Sequence, residues 1–436
     1  MTQRTEPSCA GERRPFAPPC LARQAIVDRD QRIVGYAVSF RASAPDPQGD
    51  AGTPAERGAA LDGVRMLATL LNDQDPDCAI GRTQLFVPVD GALIETEFLD
   101  LLDPARTVLM LGPDVEPTLG TAERIDALCT RGFRIALEDA AVLGSSALWL
   151  PRAALVRIDT ASDAAAIAPI ASSNALRRHG ARLLASGVES HAQFDALHRS
   201  GVDLFQGSWF AQPQALHAKT IQPAWSALLR ALSLAQQDAP PQAIEAALRI
   251  DPALAFRLLR YIGAAGIAGG RGPLRSVADA VSLVGYQALT RWLGMLLVTT
   301  DGGPDQASSA LARTALTRAR MMEALPAAAM AATGPGTQET AAENDGQQRF
   351  LAGLFSLLDV MLEMPMERVL DRMPLSQALA EALLRREGEL GAMLRLVEDC
   401  ERPGTETPAA RRADPLELAR VQLAAIGWAE RVGLQA

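Results

Sequence analysis

The 436-residue chain has a single lysine, Lys219, and only four histidines, His179, His191, His198 and His217. No histidine follows position 217. Chemistry that needs a lysine base, or histidine as metal ligand or proton shuttle, therefore has few places to reside. Aromatic residues make up 4% of the chain and the formal net charge is −9. That is a poor match to a protein that neutralises phosphates and stacks bases, so no nucleic-acid partner is expected. The five cysteines, at 9, 20, 78, 129 and 400, form no C-x-x-C pair and cannot all be joined to one another. A reduced, cytosolic protein is expected rather than a disulfide framework or a zinc site. Long apolar runs are missing too. The longest, Trp292 to Val298, falls far short of the ~20 residues of a membrane span, so no membrane insertion is expected. The opening residues carry charges and prolines without an apolar stretch, so no signal peptide is expected.

What is present is a chain 48% apolar, long enough for two or three domains at roughly 150 residues each. Residues 1–22, Pro-rich and aperiodic, read as disordered. Over 23–214, short β-type runs (Ala25–Val27, Ile33–Phe40, Gln84–Val89, Val108–Leu111, Phe133–Leu137, Leu155–Ile158, Leu183–Ala185 and Val202–Phe205) alternate with helical stretches at 60–72, 92–102, 119–131, 162–179 and 191–200. That alternation indicates parallel βα units, and about eight of them fit one (β/α)8 barrel. An open doubly wound sheet is the other solution, but no G-x-G-x-x-G follows any strand. After a linker at 215–222 the period changes to that of helices. Trp225, Leu228, Leu229 and Leu232 share one face, and Ser276 with Asp279 resembles a capping box leading to a stop at Gly285. Residues 223–403 therefore read as an all-helical domain with a flexible insert at about 325–348. A polar linker and a helix opened by Asp414-Pro415 occupy 404–436.

In a barrel, residues at the C-terminal strand ends meet at one rim. Carboxylates fall there at Glu138/Asp139, Asp159 and Glu189. Oxygen clusters of this type suit Mg²⁺ or Mn²⁺ and, with two ions, phosphodiester hydrolysis. Solvated loop ends and helix caps are the competing account of the same residues. His191 and His198, seven apart on one helix, have no third ligand beside them.

The segment RQAIVDRDQRIVGYAVSFR resembles the opening of the EAL domain, a barrel that hydrolyses cyclic di-GMP. It is closer to the EAL-HDOD proteins, in which an HDOD helical domain follows. The resemblance continues through FRIALEDA, ALVRID, LLASGVES and DLFQGSWFAQP. In the second half it runs through IEAALRIDPALAFRLLRYIGAAG, LRSVADAVSLVGYQALTRW and LLRREGELGAMLRLVEDCERPG. It covers nearly all of 23–403, and it implies a TIM-like EAL barrel followed by the helical domain.

Set against the family pattern, several metal-site positions differ. The EAL tripeptide reads Ala37-Val38-Ser39, so alanine stands where the metal-binding glutamate is expected. The asparagine after the third strand falls on Pro88 and the next glutamate on Met110, a soft thioether poorly matched to a hard cation. The DDF motif reads Glu138-Asp139-Ala140, the lysine of KID is Arg157, and the first glutamate of A-E-G-V-E is Ser186. Arg41, Asp139, Asp159, Glu189 and Gln206 remain as candidates for residual nucleotide contact. In the helical half, Gly263-Ala264 replaces an Asn-Ser, and the lack of histidine excludes an HD-type metallohydrolase.

The resemblance thus implies no catalytic residues, no metal and no cofactor. The expected role is that of a bacterial signalling adaptor that meets other signalling proteins through protein–protein contacts, with homo-oligomers compatible. A cyclic di-GMP receptor without hydrolysis is the alternative, and an active cyclic di-GMP phosphodiesterase the third reading.

Overall fold

The computed structural model describes residues 20–41, 63–64, 66–68, 83–138, 145–160, 179–212, 223–248, 254, 257, 277–299, 310–325, 339–373, 375–402 and 414–435. Eight aliphatic runs become strands β1 (Cys20–Asp28), β2 (Ile33–Arg41), β3 (Gln84–Val89), β4 (Thr107–Leu111), β5 (Arg134–Leu137), β6 (Ala153–Asp159), β7 (Arg182–Val188) and β8 (Leu204–Gly207). They close into a barrel in sequence order. Pairing from β2 to β8 is parallel.

β1 departs from the all-parallel expectation, running antiparallel to both β2 and β8. The cause is the short polar connection Asp28–Arg32. The Asp28 carboxylate accepts from the backbone N–H groups of Asp30 and Arg32 (3.0 and 2.9 Å), and Gln31 takes a φ of 59°. A chain turned back so tightly has no room for a crossover helix.

Alternation along each strand separates two cores. Inside the barrel pack Ile26, Ala37, Phe86, Val108, Met110, Ala136, Leu155, Leu184 and Leu204. Their neighbours in sequence, such as Leu85, Val87, Leu109 and Ile135, face outward into a second core under the helices. Helix α1 (Leu119–Thr130) starts where the Thr118 hydroxyl accepts from Thr121 N–H. Helix α2 (His191–Arg199) starts at a full capping box between Ser190 and Gln193. The helix expected over 92–102 forms only as one turn, Gly91–Ile94, followed by a 3-10 segment, Glu97–Leu101. Most of the helix expected at 162–179, and much of that at 60–72, lies outside the described residues.

The regular elements of the second half, among the described residues, are all helices. Helices α3 (Pro223–Gln236), α4 (Pro241–Leu248), α5 (Val277–Val284), α6 (Tyr286–Thr299), α7 (Ala310–Ala324), α8 (Glu339–Phe355), α9 (Gln377–Arg385) and α10 (Gly388–Asp399) enclose a third core. Helix α5 stops at Gly285, whose φ of 80° needs a residue without Cβ strain. Helix α8 begins at Glu339, inside the stretch read from sequence as an insert. Glu, Ala and Gln in ETAAENDGQQ are good helix formers once a packed turn follows them. No helix among the described residues is long and apolar enough to cross a membrane.

The last helix, α11 (Pro415–Gln435), belongs to both halves. Leu418, Val421, Ala425 and Ala429 join the helical core, while Ala419, Leu423 and Ile426 join the core outside the barrel. Between them Gln422, fully buried, donates to the Leu21 carbonyl (3.0 Å) and accepts from Arg23 Nη1 (3.1 Å). From α7, buried Arg313 adds bonds to the Ile33 carbonyl and the Thr83 hydroxyl, both 2.9 Å.

Candidate functional site

The parallel strands β2 to β8 end on one side of the barrel, and that rim carries the polar side chains. Its floor is apolar. Ala37 is 7% exposed and Met110 3%, both packed in the barrel interior beside Phe86 and Ala136. Pro88, half-buried, pairs in register with Met110. At the end of β6, Arg157 Nη1 donates to Glu138 Oε1 at 2.8 Å. Both side chains are about 30% exposed, so the pair sits at the mouth rather than beneath it.

Ser186 on β7 is buried, and its hydroxyl donates to the Ile158 carbonyl at 3.3 Å. Thr160 crosses in the other direction, its N–H and hydroxyl both donating to the Ser186 carbonyl (2.9 and 2.8 Å). These bonds tie the ends of β6 and β7 at a bulge between Ser186 and Val188. Gly187 occupies that bulge with φ 74°, and a Cβ there would stand 3.1 Å from Asp159 Oδ1. The close approach of the Asp159 carboxylate and the positive φ both call for glycine.

Of the five residues singled out from the sequence, three have described side chains. Asp159 and Glu189 are exposed at the rim, and Gln206 is buried in β8. Gln206 Nε2 donates to Gln24 Oε1 at 2.8 Å, and its own Oε1 is buried without a partner. Arg41 ends β2, but its side chain lies outside the described residues, as does all of Asp139. Among the described residues, no three His, Cys, Asp or Glu side chains gather closely enough to hold a metal ion.

Gln24 and Thr160 carry part of the rim yet gave no signal in the sequence, because their roles come from barrel closure. Gln24 meets Gln206 only because β1 runs backwards between β2 and β8. Of the two histidines of α2, His198 packs in an aromatic group with Trp209, its ring 5.6 Å from Phe194 and 6.3 Å from Phe205, and His191 Nε2 is buried without a hydrogen-bond partner.

A closed barrel with one reversed strand and its polar residues on the rim of the other seven defines a TIM-like barrel protein with a helical partner domain. Residues 100–213 match the EAL domain profile. It is similar to the cyclic di-GMP phosphodiesterase CdgJ of Vibrio cholerae (23% identity, 87% of this chain and 84% of that protein). It is similar also to the uncharacterized protein YuxH of Bacillus subtilis (21% identity, 94% of this chain and 97% of that protein). Both alignments span the barrel and the helical half, in keeping with the EAL-HDOD arrangement. Among solved structures, the EAL enzyme Bd1971 in its cAMP- and cyclic-di-GMP-bound form aligns at 16% identity with a TM-score of 0.35. That alignment covers 44% of this chain and 61%, less than two thirds, of the other.

Proposed function

We propose that the protein acts in cyclic di-GMP-related signalling as a non-catalytic adaptor, its EAL barrel and HDOD-type helical domain meeting other signalling proteins through their surfaces. One observation carries this reading: the place where the family pattern sets metal ligands holds Ala37 and Met110 packed in the apolar interior, with a guanidinium across the mouth. A divalent metal does not fit these residues. Mg²⁺ wants near-octahedral oxygen ligation, and a methyl group, a proline ring and a thioether supply none. Arg157, bonded to Glu138, adds a fixed positive charge beside the carboxylate a cation would use. Without a bound cation, the described rim residues lack the device that lowers the pKa of an attacking water in two-metal hydrolysis, Arg157 being already bonded to Glu138.

The test is a cyclic di-GMP hydrolysis assay on the full chain with Mg²⁺ and with Mn²⁺, beside calorimetric titration of the same ligand. The adaptor reading expects background turnover and no heat up to high micromolar ligand. Metal-dependent turnover well above background overturns it. A binding isotherm without turnover replaces it with the receptor reading, in which Asp159, Glu189 and Gln206, with Arg41 and Asp139, are the residues to substitute.

A further inference from the structure

Away from the barrel mouth, a cavity of about 260 Å³ lies between the outer face of β1 and the helical domain. The barrel contributes Arg23 and Tyr36, and the helices contribute Thr314, Arg318, Ser356 and Arg402. All but Arg402 are less than 9% exposed, so the walls are polar groups held in the interior.

The charges in these walls are not evenly matched. Arg318 Nε and Nη2 donate to Glu401 at 3.0 and 2.7 Å, and Nη1 donates to Glu398 at 3.2 Å and to Ser356 at 3.1 Å. Arg386 shares Glu398 at 3.0 Å. Glu398 and Glu401 are therefore engaged, and the third carboxylate of the walls, half-buried Asp359, lies within the fields of Arg386 and Arg318 while burial pushes its pKa up. Arg23 is left with poorer partners: Nη1 reaches the Met321 thioether (3.2 Å) and Gln422 (3.1 Å), and the nearest carboxylate, Glu401, is 4.0 Å away. Its Nε is buried and has no acceptor. Sulfur is a weak acceptor, and a buried cation with an unfilled donor is costly unless something supplies an oxygen.

Size narrows the class. The volume far exceeds the ~30 Å³ share of one water, yet falls just under the ~300–1,000 Å³ usual for drug-sized ligands. A cyclic dinucleotide is too large for it. We propose that this cavity is a receptor site for a small oxyanion, a phosphate- or carboxylate-bearing molecule of metabolite size, held by Arg23 with Arg402 at the wall. Charge-assisted bonds from guanidinium to oxyanion are the strongest such a site can offer. Because the walls come from both halves of the chain, occupancy strengthens the docking of helices on barrel by RT ln(1 + [L]/Kd).

The test is thermal unfolding of the full-length chain in increasing inorganic phosphate and, separately, citrate, each against sodium chloride at matched ionic strength. A saturable rise in midpoint with either anion, absent in chloride, supports the proposal, and which anion saturates identifies the phosphoryl or carboxylate source. Arg402→Gln is expected to raise the apparent Kd about tenfold, read as the anion-dependent shift relative to that variant's own anion-free midpoint, and Arg23→Gln to abolish the effect. Should Arg23→Gln fail to fold, Arg402→Gln alone decides. A shift that never saturates and matches chloride, or a saturable shift unaltered by Arg402→Gln, overturns the proposal.

Discussion

Glu323 on α7 sits between two guanidiniums. Arg291 donates to it in a two-point pair and Arg320 Nη1 donates at 2.7 Å, while Arg291 also lies 3.9 Å over the Phe350 ring. Burial works to raise this carboxyl, but the bonds and charge of Arg291, then Arg320, outweigh it and hold it below the ordinary glutamate value. A carboxyl depressed in the folded state stabilises above its unfolded pKa and loses that contribution as pH falls through the folded one. Glu323→Gln is therefore expected to cost about 1 kcal/mol near neutrality, the partners being partly exposed. The gap from the parent should shrink below about pH 4.5, the usual glutamate value. Urea unfolding at pH 7, 5 and 3 reads it, and a gap constant across that range contradicts it. Residues of the rim were unevenly legible at this scale. Ala37, Pro88, Met110, Arg157 and Ser186 stand out once a family pattern is laid beside them. The Arg157–Glu138 bond and the Ser186–Ile158 bond depend on strand register, which no linear pattern records.

Among the elements, α7 and α8 approach most closely where Gly353 faces the preceding helix. A Cβ on Gly353 would stand 2.6 Å from Ala319 N and equally near the Arg318 carbonyl. Backbone cannot yield as a side chain can, so Gly353→Ala is expected to push the helices apart at a cost of about 2–3 kcal/mol. A denaturation midpoint unchanged from the parent would show that the crossing relaxes freely. Elements were the most legible level. The apolar runs of seven parallel strands lie within or beside the observed ones, and stripes at helical spacing mark α3 (Trp225, Leu228, Leu229, Leu232), α6 (Leu289, Trp292, Leu293, Leu296, Leu297) and α8 (Leu351, Leu354, Phe355), because burial on one face imposes a period that the sequence displays. Two elements escaped that logic. β1 reverses because of a four-residue turn, and the 92–102 stretch breaks into a turn and a 3-10 segment. Local hydrogen bonds, invisible to periodicity, decide both.

For the whole molecule, α11 ties the two halves into one cooperative unit. Calorimetry is expected to show a single unfolding transition, and Gln422→Ala to lower it as one by about 2 kcal/mol, since the Leu21 carbonyl and a donor of Arg23 lose a buried partner. Two separable transitions in the parent chain would contradict this coupling. A last helix opened by Asp414-Pro415 is legible in sequence, but its two-sided placement is not. The apolar residues of α11 cover more than one face, and only the tertiary arrangement shows which core each joins.

That placement has a consequence for the order of assembly. Leu21 and Gln422 are bonded across 401 positions of chain, and Arg23 and Gln422 across 399. The outer side of β1 leaves the ribosome early, yet its cover arrives some four hundred residues later. At about 5–20 residues per second that is tens of seconds. During this interval the nascent barrel presents a greasy, unroofed seam with a buried-to-be arginine beside it. A chaperone or a neighbouring chain has time to engage it before α11 closes the seam.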